Sequence, residues 1–289
     1  MKPLFKWTGS KRKMMSKFGA SFWPNEEVTR FVDGFYGAGS VTCAAKEKYP
    51  NAEFVINDSN TELVSLYQNL AWNEKELTER VFSYQNDYLS IIDKDERKKF
   101  YNKIKLAYIE HKRESVESSS QLLFMLKTNF NGWWKVYNYS NGRYATPPGT
   151  MAEKKNIFDP VNLKETAEFF REQCIIKRGS YNELGTFAGK GTYFYFDPPY
   201  RDSGGYEGDG FTESDQLELL GFMDECDAKG SLVSYSNKDI GDGFFSDNLP
   251  DSVWNLTNIE NSFTAQRKGK RKVSEIFISN FFENNALFT

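Results

Sequence analysis

Histidine is nearly missing from this chain. His111 is the single one among 289 residues, which excludes a metal centre built on several imidazoles. It lies in a polar run and is expected to be a solvated helix residue. Cysteine is scarce as well. Cys43, Cys174 and Cys226 are odd in number and far apart, so neither a disulfide framework nor zinc-ligand spacing is present. A reducing interior fits that usage. No apolar run approaches the roughly 18 residues that a membrane span needs, and the N-terminal stretch lacks the apolar segment of a signal peptide. The expectation is an intracellular protein with no membrane and no metal. An excess of one sign of charge is lacking too: 37 lysines and arginines against 40 aspartates and glutamates give a formal net charge of -3. Total charge therefore does not announce nucleic acid, and its distribution has to be read instead.

Aromatic residues are abundant, at 16% of the chain, which suits either a thick core or base stacking. The length fits one large domain or two modest ones, with enough chain to bury a sizeable core. No internal repeat or low-complexity tract breaks the pattern.

The most informative stretch is Thr192-Tyr-Phe-Tyr-Phe-Asp-Pro-Pro-Tyr200. Its first half is aromatic, β-branched and uncharged, the signature of a buried strand. Its second half stops the ladder, because each proline fixes φ and lacks an N–H. The strand thus delivers the Asp197 carboxylate, the Pro198 carbonyl and the Tyr200 ring to a stiff loop at its C-terminal end. Ligands bind at that end in open α/β sheets. A merely proline-terminated strand is the plain alternative.

A second pattern lies upstream. Phe31–Val32 reads as a strand, Gly34, Gly37 and Gly39 as a glycine-rich turn, and Ser40 to Lys48 as a helix. Glycines allow positive φ and close ligand approach, and a helix start offers free N–H groups. Asp33 at the first strand's end is a candidate acceptor for a cofactor ammonium. The next strand, Glu53 to Ile56, runs into Asn57-Asp58. An acidic residue about 20 positions past the glycines suits ribose hydroxyls, although Asp58 can equally cap the helix that opens near Thr61.

From Thr61 the chain reads as helical, with Leu63, Leu66, Tyr67 and Leu70 on one face, then a polar loop at Ser115 to Ser120 and a short apolar helix at Gln121 to Leu126. After it comes an aromatic and polar stretch from Thr128 to Gly149. Asn141-Gly142 is a hairpin turn signal, and the flanks carry tryptophan, tyrosine, asparagine, lysine and arginine. That mixture suits base-edge, stacking and phosphate contacts, with a core hairpin as the alternative. Two basic clusters, Lys2 to Lys13 and Arg267 to Lys272, are either solvated faces or phosphate contacts. Arg201 to Gly210, with four glycines, reads as a mobile loop beside the proline motif.

Taken in order, these pieces resemble the DNA adenine-N6 methyltransferases of the Dam type, the D12 class of the alpha group of amino-methyltransferases. The matching residues are Lys6-Trp-Thr-Gly-Ser-Lys11, Phe31-Val-Asp-Gly-Phe-Tyr-Gly-Ala-Gly-Ser40, Asn57-Asp58, Phe130-Asn131-Gly132 with Pro147-Pro148-Gly149, Asp197-Pro-Pro-Tyr200, Phe211 with Asp215-Gln216, and Lys272-Val-Ser-Glu-Ile-Phe-Ile. The resemblance implies a Rossmann-like α/β sheet that uses S-adenosyl-L-methionine. The catalytic domain would comprise residues 1–60 and 156–289, and a helical and β-hairpin target-recognition insert residues 61–155. It implies catalysis by Asp197, Pro198 and Tyr200. It implies cofactor contacts from Trp7, Lys11, Asp33, Phe35, Gly37, Gly39, Asp58, Ser180, Tyr181 and Asp197. It implies contacts with double-stranded DNA from Phe130, Asn131, Trp133, Lys135 and Pro147, and the basic run adds Arg267 and Lys268.

Two departures bear on specificity. Lys135 stands where GATC-specific members often carry arginine, whose planar fork reads guanine as lysine's point charge cannot. Trp133-Trp134 is also bulkier than the family pattern. Other readings keep the chemistry and change the target to cytosine N4, RNA adenine or a protein glutamine, or keep the fold without catalysis. The aromatic and basic hairpin favours nucleic acid.

Overall fold

The computed structural model describes residues 1–7, 9–111, 114–130, 132, 134, 136–137, 143–144, 146–149, 156–201, 211–249, 253–263 and 271–281. Its elements in chain order are α1 (Arg12–Phe18), β1 (Arg30–Asp33), α2 (Ser40–Lys48), β2 (Glu53–Asp58), α3 (Thr61–Trp72), α4 (Glu74–Ser90), α5 (Lys94–Glu110), α6 (Val116–Thr128), β3 (Val136–Tyr137) and β4 (Arg143–Tyr144). There follow α7 (Pro160–Glu172), β5 (Cys174–Arg178), β6 (Thr192–Phe196), α8 (Glu213–Ala228), β7 (Leu232–Asp239), α9 (Phe244–Asn248), β8 (Asn255–Phe263) and β9 (Arg271–Ser279). The α/β class expected from sequence is the one observed, with a seven-stranded sheet in the order β5-β2-β1-β6-β7-β9-β8. Among the described residues, no helix is long and apolar enough to cross a membrane.

The chain divides into two compact units, one of Met1–Ser10, Tyr36–Lys48 and Val55–Gly179, the other of Lys11–Phe35, Tyr49–Phe54 and Ser180–Thr289. In the second unit β6 runs parallel to β1 on one side and to β7 on the other. β9 and β8 then close that edge as antiparallel strands. All five residues of β6 are buried, which is why no polar alternation shows in its sequence. Its two faces differ. Phe194 and Phe196 stack at 5.8 Å between ring centroids. Tyr193 and Tyr195 point the other way and reach the Ser234 and Ser236 hydroxyls of β7 at 2.7 Å each. Phe18 and Phe22 pack on Phe277, each at 4.9 Å. Burying each such ring contributes about 2 kcal/mol.

The first unit is mostly helical, with α3 packed on α7 and α6, and α4 on α6. Tyr67 lies 4.9 Å from Tyr36 and 5.4 Å from Phe170 between ring centroids. The polar loop expected at Ser115–Ser120 is instead the start of α6. Ser115 caps it by accepting from the Ser118 N–H, and Ser118, Ser119 and Ser120 are all buried. Their hydroxyls find partners inside the fold: Ser120 donates to the Val116 carbonyl at 2.7 Å, and Ser119 accepts from Asn69 at 2.9 Å. Tertiary partners thus override the loop preference of a serine run. His111 ends α5 as its exposed C-cap and meets Gln121 at 3.1 Å.

Candidate active site

The site grows from the end of β6. Beside it β1 runs parallel in a register that pairs Asp33 with Tyr195. The order reverses here: β2 and β5 continue beyond β1, while β6 and β7 go the other way. A parallel sheet opens a crevice at the carboxyl ends of its strands where the order switches. Asp33 ends β1, and Asp197 directly follows β6. Gly34 is required at this point, because a Cβ there would lie 2.5 Å from the Phe196 ring.

Asp197 is held by two donors on one oxygen. Lys11 Nζ lies 2.8 Å from Oδ1, and the Ser236 hydroxyl donates to Oδ1 at 3.2 Å. Because Ser236 gives its single proton to Asp197, the Tyr195 hydroxyl must donate to Ser236. Among the described residues Oδ2 receives no hydrogen bond. The Asp197 side chain is 21% exposed, whereas that of Lys11 is 1% exposed. Lys11 is thus no part of a solvated basic face, although it begins a basic run. Its ammonium also donates to the Tyr200 hydroxyl at 3.0 Å, and that hydroxyl donates to Glu275 Oε1 at 3.2 Å.

Burial raises the Asp197 carboxyl above its ordinary value, against the pull of Lys11 and the Ser236 hydroxyl. Burial lowers the Lys11 ammonium, but Asp197, Tyr200 and Glu275 outweigh it and hold the group above the usual lysine value. The 2.8 Å contact pairs the Lys11 ammonium with the Asp197 carboxylate. Burial also raises the Tyr200 phenol.

The proline loop is held from behind by three buried polar side chains. Asn237 Nδ2 donates to the Tyr235 hydroxyl at 2.6 Å, and that hydroxyl donates to Gln216 Oε1 at 2.5 Å. The amide is thereby oriented, so Gln216 Nε2 donates to the Pro199 carbonyl at 3.0 Å. Gln216 sits in the first turns of α8, whose start is fixed by a reciprocal capping box between Thr212 and Asp215.

A family model, "D12 class N6 adenine-specific DNA methyltransferase", matches residues 7–264 of this chain. The chain belongs to that family. It is a site-specific adenine DNA methyltransferase and draws on a methyl donor. The chain is similar to the type II methyltransferase M.MjaIII of Methanocaldococcus jannaschii, 27% identical over 254 residues, covering 82% of this chain and 84% of that protein. It is similar also to the type II methyltransferase M1.LlaDCHI of Lactococcus lactis subsp. cremoris, 26% identical over 302 residues, covering 97% and 96%. The retron Ec67 DNA adenine methylase of Escherichia coli is 25% identical over 246 residues, covering 83% and 78%.

The methyltransferase places its other expected site residues as follows. In the unit with Asp197, buried Asp33 accepts from the Phe35 N–H at 3.4 Å. The Phe35 ring lies 5.7 Å from Tyr181, tilted at 38°, and 5.6 Å from Phe211, edge-on at 89°. Burial, with Glu218 and Asp215 adding to it, pushes the Tyr181 phenol up to about 12. Ser180 caps the short 3-10 helix Tyr181–Phe187. In the other unit, Gly37 (φ 49°) and Gly39 (φ 70°) are left-handed, and a Cβ on Gly37 would meet the Trp7 indole at 3.2 Å. Asp58 accepts from the Gly37 N–H at 2.9 Å and from the Asn60 N–H at 2.9 Å. The N-cap of α3 is Asn60, which accepts from Glu62 and Leu63. Asp58 therefore organises the glycine turn and is not that cap.

Of the residues expected to meet DNA, exposed Phe130 donates its N–H to the carbonyl of exposed Pro147 at 3.0 Å. Gly132 (φ 73°) tucks against Lys6, whose carbonyl oxygen a Cβ would meet at 2.6 Å. Trp134 is buried against Tyr108. Asn131, Trp133, Lys135, Arg267 and Lys268 lie outside the described residues, as does the 202–210 part of the glycine-rich loop. The hairpin pairs Val136 with Tyr144 and Tyr137 with Arg143. The turn expected at Asn141-Gly142 lies outside the described residues. Ser236, which holds Asp197, carried no role in the sequence reading. A serine inside a strand is too common to stand out without its neighbour.

Proposed function

We propose that this methyltransferase uses S-adenosyl-L-methionine to methylate the N6 of an adenine flipped out of duplex DNA, with Asp197 as the acceptor that activates the amine. The observation that carries this reading is the division of the Asp197 carboxylate. Oδ1 is occupied by Lys11 and Ser236, and among the described residues Oδ2 receives no hydrogen bond, which leaves it for a substrate.

Adenine N6 is a weak nucleophile because its lone pair is delocalised into the ring. Asp197 accepts one N6–H and the Pro198 carbonyl accepts the other. These acceptors gain strength as positive charge develops on nitrogen, so they stabilise the transition state more than the ground state. With Pro199's carbonyl tied to Gln216, the loop keeps Pro198's for the base. Tyr200 stacks on the flipped ring, since a base inside the duplex is out of reach. When bound, S-adenosyl-L-methionine supplies an electrophilic methyl group on a sulfonium. The donor set fits such a molecule: Asp58 for ribose hydroxyls, Asp33 for an ammonium, Phe35 and Tyr181 for a flat base. Trp7, Gly37 and Gly39 supply close backbone approach, Lys11 orients Asp197, and Ser180 fixes the turn that carries Tyr181.

Residues 61–155 recognise the target. Phe130, Asn131, Trp133, Lys135 and Pro147 meet the bases and backbone, and Arg267 and Lys268 add phosphate contacts. The "type II methyltransferase" names of two relatives support a protective role in a restriction–modification pair, exercised in the cytoplasm.

The test is purified protein with labelled S-adenosyl-L-methionine and unmethylated duplex DNA, followed by nucleoside mass spectrometry. N6-methyladenine is the expected product. N4-methylcytosine would overturn the choice of base, and tight DNA binding without any transfer would overturn catalysis.

A further inference from the structure

β9 carries a carboxylate where the fold calls for an apolar residue. Glu275 is 5% exposed, and its neighbours Ile276, Phe277 and Ile278 are buried almost completely. Strand alternation puts it on the same face as Phe277, which packs against Phe18 and Phe22. A carboxylate in such a place costs several kcal/mol unless partners offset it. Core packing gives no reason for it. Its contact with the proline motif does.

Donor and acceptor rules fix the direction of that contact. Lys11 has only protons to give, so the Tyr200 oxygen accepts from it at 3.0 Å. The Tyr200 proton is then free to go to Glu275 Oε1, at 3.2 Å. One buried ammonium thus serves two carboxylates, Asp197 directly and Glu275 through the phenol. Left to Asp197 alone, the ammonium would hold that carboxylate tightly and weaken it as an acceptor. A second negative charge divides the hold.

We propose that Glu275 is a positioning residue for methyl transfer: it takes the Tyr200 hydroxyl proton, which aligns the Tyr200 ring, and its charge shares the Lys11 ammonium so that Asp197 keeps its acceptor strength toward the amine. The inference rests on the reading of Asp197 and Tyr200 given above. Among the described residues, the titratable groups coupled to Asp197 are Lys11 ahead of α1, Tyr195 on β6, Tyr200 in the loop, Tyr235 on β7 and Glu275 on β9. Lys11 lowers the proton affinity of Asp197 and Glu275 raises it.

The experiment is the single-turnover methylation rate of Glu275→Gln across pH, on unmethylated plasmid DNA with saturating S-adenosyl-L-methionine. Glutamine still accepts from Tyr200, so the geometry is kept and only the charge is removed. The plateau rate should fall about ten-fold, the worth of a charge-assisted contact over a neutral one. DNA affinity should stay within two-fold, and the acid limb should move to lower pH. Tyr200→Phe keeps the ring and cuts the link, so its acid limb should move the same way, and the two changes together should be far from additive. Should Glu275→Gln not fold, Tyr200→Phe carries the same test. An acid limb that stays in place in both variants would overturn the role of Glu275. Asp197→Ala, measured alongside, separates the two levels: if it retains turnover, the reading of Asp197 falls first; if it is inactive while Glu275→Gln is normal, only the present inference falls.

Discussion

The Lys11 ammonium lies 2.8 Å from Asp197 Oδ1 with its side chain 1% exposed. The two lie far apart along the chain, yet each is the other's main charge partner. Taking one member from a buried pair leaves the other charge without compensation. Lys11→Met should therefore cost about 3 kcal/mol, the low end of the usual range because Asp197 keeps some access to water. Chemical denaturation of wild type and variant measures it. A loss under 1 kcal/mol would mean the pair holds little of the fold.

Asp197→Ala should bind DNA nearly as well as wild type and transfer methyl about a thousand-fold more slowly. The residual rate is read by incorporation of labelled methyl groups, and the affinity by fluorescence anisotropy. Comparable turnover in both proteins would sink the assignment of Asp197.

Burial raises the Asp197 carboxyl above its ordinary value. Protonation takes away the negative charge and turns one carboxyl oxygen into a donor, so activity should fall as pH drops through the raised value. The acid limb of the wild-type single-turnover profile is thus expected above the ordinary aspartate range, which lies near 4. A limb at or below that range would show that the ammonium, not burial, sets the proton affinity.

Gln216→Leu removes the donor to the Pro199 carbonyl and the acceptor for Tyr235. Unpaired buried groups of this kind cost about 2 kcal/mol. A loop held less firmly should also lower the rate while leaving the KM for DNA near its wild-type value. A matched loss in both parameters would point to a binding role instead.

Gly37→Ala puts a Cβ on a left-handed residue and against the Trp7 indole. The left-handed backbone alone costs roughly 1 kcal/mol. Calorimetry should show S-adenosyl-L-methionine binding weakened about five-fold, the factor that this energy carries. Unchanged binding would separate the glycine turn from the methyl donor.

Much of this protein's structure is local and legible in its sequence. A run such as Thr192 to Phe196 has one stable home, a buried central strand, because its residues are apolar on both faces. The prolines after it end the ladder for covalent reasons. The glycine turn and the strand into Asn57-Asp58 follow from the same kind of rule. The α6 serines show the limit. Ser115 to Ser120 favour a loop by propensity, and only Asn69 and the helix's own carbonyls turn them inward.

The site divides the same way. Asp197, Pro198 and Tyr200 are neighbours in sequence, so their grouping needed no fold. The groups that tune them are not. Lys11, Ser236 and Glu275 reach Asp197 or Tyr200 only when α1, β7 and β9 are assembled. Asp58 could cap a helix or hold a turn, and the tertiary structure gave the cap to Asn60. The sequence by itself determined which groups this protein has to do chemistry with. Folding decided which of them share a proton, because hydrogen bonds act over about 3 Å, while the residues that make them lie far apart along the chain.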